Sequence, residues 1–433
     1  MRNNTRFRSV TVLVGLIGGL ISALRLWLGN SDSLNQILWA EDGVFALCVH
    51  KVDFLSCTAD PFGGYLPLAP RLLAGITGLS PLSAWALVAN IVAAAVAGLV
   101  VAVAYAILRR GGMGQVVSVL GGLTPVLIPI MGYEVIQTLG SVYIPLLYLS
   151  VLAVVFSHGL NRWVVLGLLL FTVLTIPTAV LILPLVLLRW LRRSISLSTF
   201  VLWSTGLAAG ALVQYLAIAS STKPRPIEMG SEGFATWANS LLPAFMTNVP
   251  GFGTGGGSPS VSPSIEQWSL GWLVVAVLAT VGAALLLLGW RSRESFTTTV
   301  GALLLTGLLF SAFPSIFDGV GNRYFVLPVM LWSLAILVAL DGLLVRSRWW
   351  VSGIVIAVVL VLWLPQLPAG AFRSTPAPAW SDEVARVSAA CKADPALSER
   401  IMFTPFWPPN WGDALSEPTH PNVDCLVVWK WLD

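Results

Sequence analysis

The sequence predicts an all-α polytopic membrane protein of about eleven transmembrane or re-entrant helices, with a small external C-terminal domain. Three observations predict it. With 56% hydrophobic and 10% charged residues and a mean hydropathy of +0.84, the chain could not cover its apolar surface as a soluble globule, whose charged share is usually about 25%. Apolar runs long enough to cross hydrocarbon about 30 Å thick recur along it. Between them stand short Arg clusters, the marks of cytoplasmic loops. Those clusters never merge into one basic face, so the net charge of +4 does not point to a nucleic-acid partner.

Taken in order, the chain starts inside with Arg2, Arg6 and Arg8, and Val10 to Leu28 is the first span. A basic start before an apolar core resembles a signal peptide. No small-residue cleavage pattern follows, however, and Arg25 interrupts the last turn, so the reading is a retained anchor. The outer loop 29–80 holds the stretch Leu38-Trp39-Ala40-Glu41-Asp42-Gly43-Val44-Phe45, then Cys48, Cys57 and the segment Gly63 to Arg71. Ser83 to Leu108 returns to Arg109-Arg110, Val116 to Met131 leads out to Tyr133-Glu134, and Leu139 to Phe156 comes back to His158 and Arg162.

The run Trp163 to Leu188 has basic residues at both ends, Arg162 before it and Arg189, Arg192 and Arg193 after it. One straight span would put one cluster on the wrong side. The break Thr175-Ile176-Pro177-Thr178 therefore predicts two short helices that dip in and return. Leu197 to Ile218 leads out to the long loop 219–267, whose Gly251 to Ser264 portion, rich in Gly, Ser and Pro, is predicted to be mobile. Trp268 to Trp290 returns to Arg291 and Arg293, Val300 to Phe313 goes out to Asp318, Asn322 and Arg323, Tyr324 to Leu344 comes in to Arg346 and Arg348, and Trp349 to Leu364 goes out again. This defines a membrane domain over 1–364 and an external domain over 365–433.

The scheme puts over half of the 24 basic residues inside, every acid but Glu294 and Asp341 outside, and all four cysteines outside. External cysteines in an oxidising compartment can form disulfides. Cys48 with Cys57 would brace the first outer loop, and Cys391 with Cys425 would staple the C-terminal domain.

Polar residues at membrane depth or at its edge are functional candidates. The outer edge collects Arg25, Glu41, Asp42, Arg71, Glu134, Asp318, Asn322 and Arg323, whereas the inner edge has only Arg clusters of the topogenic kind. The chemistry is therefore expected outside. His50, His158 and His420 show no metal-ligand spacing, and Gly255-Gly256-Gly257 lacks the flanking strand and Lys of a nucleotide loop.

At this point the chain resembles the GT-C superfamily of integral membrane glycosyltransferases, which use polyprenyl-phosphate sugars as donors. The resemblance rests on Trp39-Ala40-Glu41-Asp42-Gly43 after the first span, on Gly64-Tyr65-Leu66 and Pro70-Arg71 later in that loop, and on Gly321-Asn322-Arg323-Tyr324-Phe325 opening a late span. It implies transfer of a sugar from a polyprenyl-phosphate donor to an envelope glycan, glycolipid or protein acceptor on the outer face, with inversion by direct displacement. Because that family has metal-dependent and metal-independent members, the resemblance leaves room for a divalent ion near Asp42.

The acceptor hydroxyl must lose a proton, which points to Asp42 as general base, with Glu41 as runner-up or orienting partner. The departing phosphate needs positive charge, which Arg323 with Tyr324 fits best and Arg71 next. Glu134, Tyr65 and Asn322 are further substrate-binding candidates. Each also has a bland reading. Glu41-Asp42-Gly43 could cap the segment Val44 to His50, Arg323 could pair with Asp318, Arg71 could snorkel, and Glu134 could be a solvated loop residue. Trp407 and Trp411 could stack on a glycan or fill a small core.

The rival functions are a polyprenyl-linked lipid flippase or transporter, a glycan polymerase or ligase, and a non-catalytic assembly subunit. The 20 Arg among the 24 basic residues, with abundant Ala, Val and Gly, suggest a GC-rich bacterial genome. The expected location is accordingly a bacterial plasma membrane, N-terminus cytoplasmic and C-terminus outside.

Overall fold

A computed structural model describes residues 2–29, 38, 40–51, 54–62, 64–129, 135, 137–220, 237, 265–292, 295–313, 322–346, 349–363, 379–394, 396, 398–400 and 422–425. These residues are mostly helical. Four helical stretches are long and apolar enough to cross a membrane, Phe7–Leu28, Leu82–Arg110, Leu197–Ser220 and Val274–Arg291, as a multi-pass membrane protein requires. Shorter apolar helices fill out the bundle.

The scaffold is a close pair, α1 (Arg2–Gly29) and α5 (Trp85–Arg110). Small residues let their backbones approach: a Cβ on Gly98 would lie 2.7 Å from the Gly15 carbonyl oxygen, and one on Gly15 would lie 2.9 Å from the Cβ of Ala102. Phe7 stacks on Tyr105 at 6.2 Å, and Arg110 lies over the Phe7 ring at 5.9 Å. The pair is therefore antiparallel, with the start of α1 at the end of α5.

Between them in sequence lie α2 (Ala40–Lys51), α3 (Phe54–Ala59) and α4 (Leu68–Gly78), the helices of the first long loop, expected outside. Cys48 and Cys57 are bonded across α2 and α3, with Cα atoms 5.6 Å apart. After α5 the chain turns back through α6 (Gln115–Leu127) and α7 (Tyr143–Val155), both shorter than the spans expected from the apolar runs. The residues between these two helices build the site described below.

The break at Pro177 is present. Helix α8 (Arg162–Thr175), N-capped by Asn161, stops at Ile176, and a 3-10 turn (Pro177–Ile182) leads into α9 (Leu183–Leu191). Arg189 near the end of α9 donates to Ser157 Oγ at 3.0 Å, five residues before Arg162. Both basic ends thus meet at one end of the bundle, as the charge pattern required. At the apex Thr175 Oγ1 accepts from the Ala69 N–H at 3.2 Å, which docks the outer loop on the hairpin.

Helix α10 (Leu197–Ser220) follows, then α11 (Ile265–Ser292) against α12 (Ser295–Ala312), another glycine contact, with a Cβ on Gly301 only 2.7 Å from the Gly282 carbonyl oxygen. A 3-10 turn (Asn322–Phe325) opens α13 (Val326–Arg346), and α14 (Trp349–Trp363) comes next. Asp341 accepts from the Gly114 N–H at 2.9 Å, a cap for α6 supplied by another helix. Leu334 in turn lies over Gly121. Since α13 therefore runs antiparallel to α6, its opening turn lies at the end of the bundle where α6 finishes.

The C-terminal part contributes α15 (Trp380–Ala393) and two short antiparallel strands, β1 (Ser398–Arg400) and β2 (Asn422–Asp424). Cys391 and Cys425 are bonded, with Cα atoms 5.2 Å apart. Trp380 stacks on Trp85 at 6.1 Å and donates to the Leu82 carbonyl at 2.7 Å. Such an aromatic pair contributes roughly 0.5–1.5 kcal/mol beyond its buried area. One apolar core (Leu38, Phe45, Leu47, Trp85, Leu139, Trp380 and Val387 among its members) joins the first long loop, the start of α5 and the C-terminal part.

Candidate functional site

Helix α2 begins within the acidic stretch. Val44 to Leu47 are buried, which pulls the helix onto the outer core. Asp42, in its first turn, is 1% exposed. The sequence offered it as a cap for its own helix, but it also reaches across to a distant segment: Oδ1 accepts from the Gly140 N–H at 2.7 Å and Oδ2 from the Leu139 N–H at 3.1 Å. Two N–H donors on two oxygens match an ionised carboxylate, which can only accept.

The segment that meets Asp42 is held at its other end by Arg25. This residue is buried in α1 and donates to the carbonyls of Val126, Ile128 and Pro129 at 2.8, 2.9 and 3.0 Å. The last carbonyls of a helix have no intrahelical donor, and a guanidinium satisfies several at once while facing the negative end of the helix dipole. Gln137 fixes the middle. With its amide set to suit its neighbours, it donates to the Asn90 carbonyl at 2.7 Å and accepts from Ser22 Oγ at 2.8 Å and the Ala23 N–H at 3.1 Å. Its backbone φ of 58° lies in the left-handed region that costs a side-chain-bearing residue energy. Val126, Ile128, Pro129, Leu139 and Gly140 are thus held by Arg25 and Asp42, and Gln137 between them by Ser22, Ala23 and Asn90.

Beside the clamp lies an open crevice between α1, α5, α6 and α7, walled by Val96, Ala97, Val100, Pro125, Leu139 and Val142, with Ser22 and Gln137 as its polar edge. Leu139 both lines this crevice and donates its N–H to Asp42. An acid and an apolar recess therefore share one backbone segment.

Arg71 has partners of its own. It is buried in α4, donates to Asp60 Oδ2 at 3.1 Å and to the Asp60 carbonyl at 3.3 Å, contacts Cys57 Sγ at 3.3 Å, and lies over the Phe45 ring at 4.8 Å. Burial pulls its pKa below the usual guanidinium value, and the charge and hydrogen bond of Asp60 oppose that. The Asp60 side chain is 60% exposed, so solvent screens the pair. Arg71 braces the disulfide-closed loop, and this arrangement weighs against both snorkelling and a free phosphate grip.

Of the other expected residues, Tyr65 is half-buried in a bridge to Phe62. Its neighbour Leu66 is held through both backbone groups by Gln214 of α10, whose Oε1 accepts from the Leu66 N–H and whose Nε2 donates to the Leu66 carbonyl, each at 2.9 Å. Glu41 lies in the first turn of α2, and Asn322 and Arg323 in the turn that opens α13, with their side chains outside the described residues. Tyr324 is half-buried in that turn. Glu134, Asp318, Trp407, Trp411 and the Gly251 to Ser264 portion lie outside the described residues.

The turn 322–325 nonetheless opens α13 at the end of the bundle that also carries Arg25 and Asp42. Among the described residues no three His, Cys, Asp or Glu side chains converge. Sequence reading missed Gln137, Ser22, Asn90 and Gln214. A lone amide within the apolar run of α10 was the available signal for the last of these.

The chain matches no protein-family model, and no curated protein is similar to it.

Proposed function

We propose that the chain is a GT-C-type membrane glycosyltransferase of about eleven transmembrane or re-entrant helices. It moves a sugar from a polyprenyl-phosphate donor to a glycan, glycolipid or protein acceptor outside a bacterial plasma membrane, with the N-terminus cytoplasmic and the tail outside. The observation that carries this reading is the carboxylate of Asp42, fixed by the Leu139 and Gly140 N–H groups against the segment that walls an apolar crevice. A lipid-linked donor needs both features close together: an acid at the membrane edge and a recess for an isoprenoid chain.

In this reading the acceptor oxygen attacks the anomeric carbon, the bond to the donor phosphate breaks, and the acceptor proton passes to a carboxylate. Both Asp42 oxygens are already engaged by backbone N–H groups. Asp42 therefore becomes the positioning member of the acidic pair, and Glu41, beside it in the first turn, takes the proton. Arg323 with Tyr324, at the same end of the bundle, would hold the departing phosphate through charge-assisted hydrogen bonds.

The test is transfer by purified protein from a labelled polyprenyl-phosphate sugar to added acceptor. Glu41→Gln should lower turnover by a factor on the order of 10² or more without moving the unfolding midpoint. Full turnover by that variant ends the assignment of Glu41. Liposomes that translocate the labelled lipid with no acceptor present would favour the flippase.

A further inference from the structure

The opposite end of the bundle holds a second, open recess between the end of α9 and the start of α12. It is lined by Arg189, Arg192, Ser194, Thr298 and Thr299 on one side and by apolar residues such as Leu185 and Ala302 on the other. The two guanidiniums stand one helical turn apart. Arg189 donates to Ser157 Oγ at 3.0 Å, and its Nε is buried with no hydrogen-bond partner. Arg192 donates to the Gly289 carbonyl at 2.8 Å and to Thr298 Oγ1, and lies over the Trp290 ring at 5.9 Å. Among the described residues neither faces a carboxylate.

Topogenic arginines stand in water, where neither repulsion nor an idle donor costs much. These two turn inward between helices instead. The backbone supports that turn: Arg193 takes φ 54°, and the Ser194 N–H reaches back to the Arg189 carbonyl at 2.9 Å, which brings Ser194 to the recess. A left-handed arginine is an unfavourable way to end a helix.

We propose that this recess binds a phosphate anion, specifically the phosphodiester headgroup of an anionic phospholipid. The free donors of Arg189 match phosphate oxygens, the hydroxyls of Ser194 and Thr299 supply neutral contacts, and the apolar wall suits the upper part of an acyl chain. The end concerned is the one marked by Arg109, Arg110, Arg162 and Arg291. By the charge rule that end faces the leaflet where basic pockets between helices meet anionic lipid.

The experiment is thermal unfolding of the full chain in nanodiscs, followed by its own tryptophan fluorescence. In phosphatidylcholine discs, adding phosphatidylglycerol should raise the wild-type midpoint. Arg189→Gln/Arg192→Gln should weaken the apparent lipid affinity by on the order of tenfold, while Arg109→Gln/Arg110→Gln should keep the full response. An equal response in the Arg189/Arg192 variant, or no response in the wild type, overturns the proposal. A midpoint raised by inorganic phosphate and not by the lipid overturns the lipid assignment in favour of a soluble phosphate. Should the double variant not fold, Thr299→Asp provides an internal carboxylate for the two arginines and should abolish the lipid response. An undiminished response in Thr299→Asp likewise overturns it.

Discussion

Arg25 and Asp42 at one end of the bundle and Arg189 and Arg192 at the other treat buried charge in opposite ways. At the end that carries α2, Arg25 and Asp42 meet backbone: three carbonyls accept from the guanidinium and two N–H groups donate to the carboxylate. At the basic end Arg189 and Arg192 stand side by side, with hydroxyl and carbonyl partners for some of their donors and none for the Arg189 Nε. A charge whose donors are all used inside the fold holds structure. A charge left with donors to spare beside a recess is equipped for a ligand. The comparison predicts that removing charge will damage the fold at the first end and will matter mainly for binding at the second.

The largest effect should come from Arg25→Met. The change keeps much of the volume but strands three carbonyls in a dry environment, and stranded partners of a buried charge cost about 3–5 kcal/mol in total. The expected outcome is a large drop in unfolding midpoint and loss of transfer together. A variant with wild-type midpoint would show that water reaches the end of α6 and that the clamp is not structural.

Asp42→Asn should cost less, about 2–3 kcal/mol, because one side of the amide must present an NH2 to a backbone N–H. Midpoints and transfer measured on the same samples separate the two acids, since Asp42→Asn should lower both while Glu41→Gln lowers transfer alone. Next in size is Gln214→Leu, which removes the bonds that hold Leu66 and one to the Val173 carbonyl. About 1–3 kcal/mol is expected, visible as faster proteolysis of the first outer loop than in wild type.

The features legible in the sequence were those that depend on sidedness and local chain chemistry. The Arg clusters at Arg110, Arg162 and Arg189 come to one end because charge placement relative to a bilayer is written residue by residue. The Pro177 break, the acidic start of α2 and both cysteine pairs were likewise local enough to read. The partners of Arg25, Asp42 and Gln214 were not. Each binds backbone groups roughly 100 or more residues away, and a carbonyl or N–H group is the same in every residue, so no side-chain pattern announces it. The early ends of α6 and the late start of α7 were hidden for a related reason. Ile128, Leu139 and Val142 are as apolar as helix residues, yet their backbone groups are needed by Arg25 and Asp42 or shaped by the turn at Gln137.

The smallest effect, and the one that sharpens the comparison most, is that of Arg189→Gln on stability when no anionic ligand is present. The change removes a charge-assisted bond to Ser157, which is worth about 1.5–3 kcal/mol gross. It also removes a buried donor without a partner and a like charge one turn from Arg192, and both of these oppose the loss. A net change within about 1 kcal/mol follows, with the variant gaining on the wild type at low ionic strength, where repulsion between the arginines is least screened. Midpoints taken in zwitterionic detergent at low and high salt measure it. A loss comparable to that of Arg25→Met would mean that Arg189 is as fully used by the fold as Arg25, and the contrast between the two ends would be gone. A salt-dependent gain would identify the pair as held against its own repulsion, the condition that an incoming phosphate relieves.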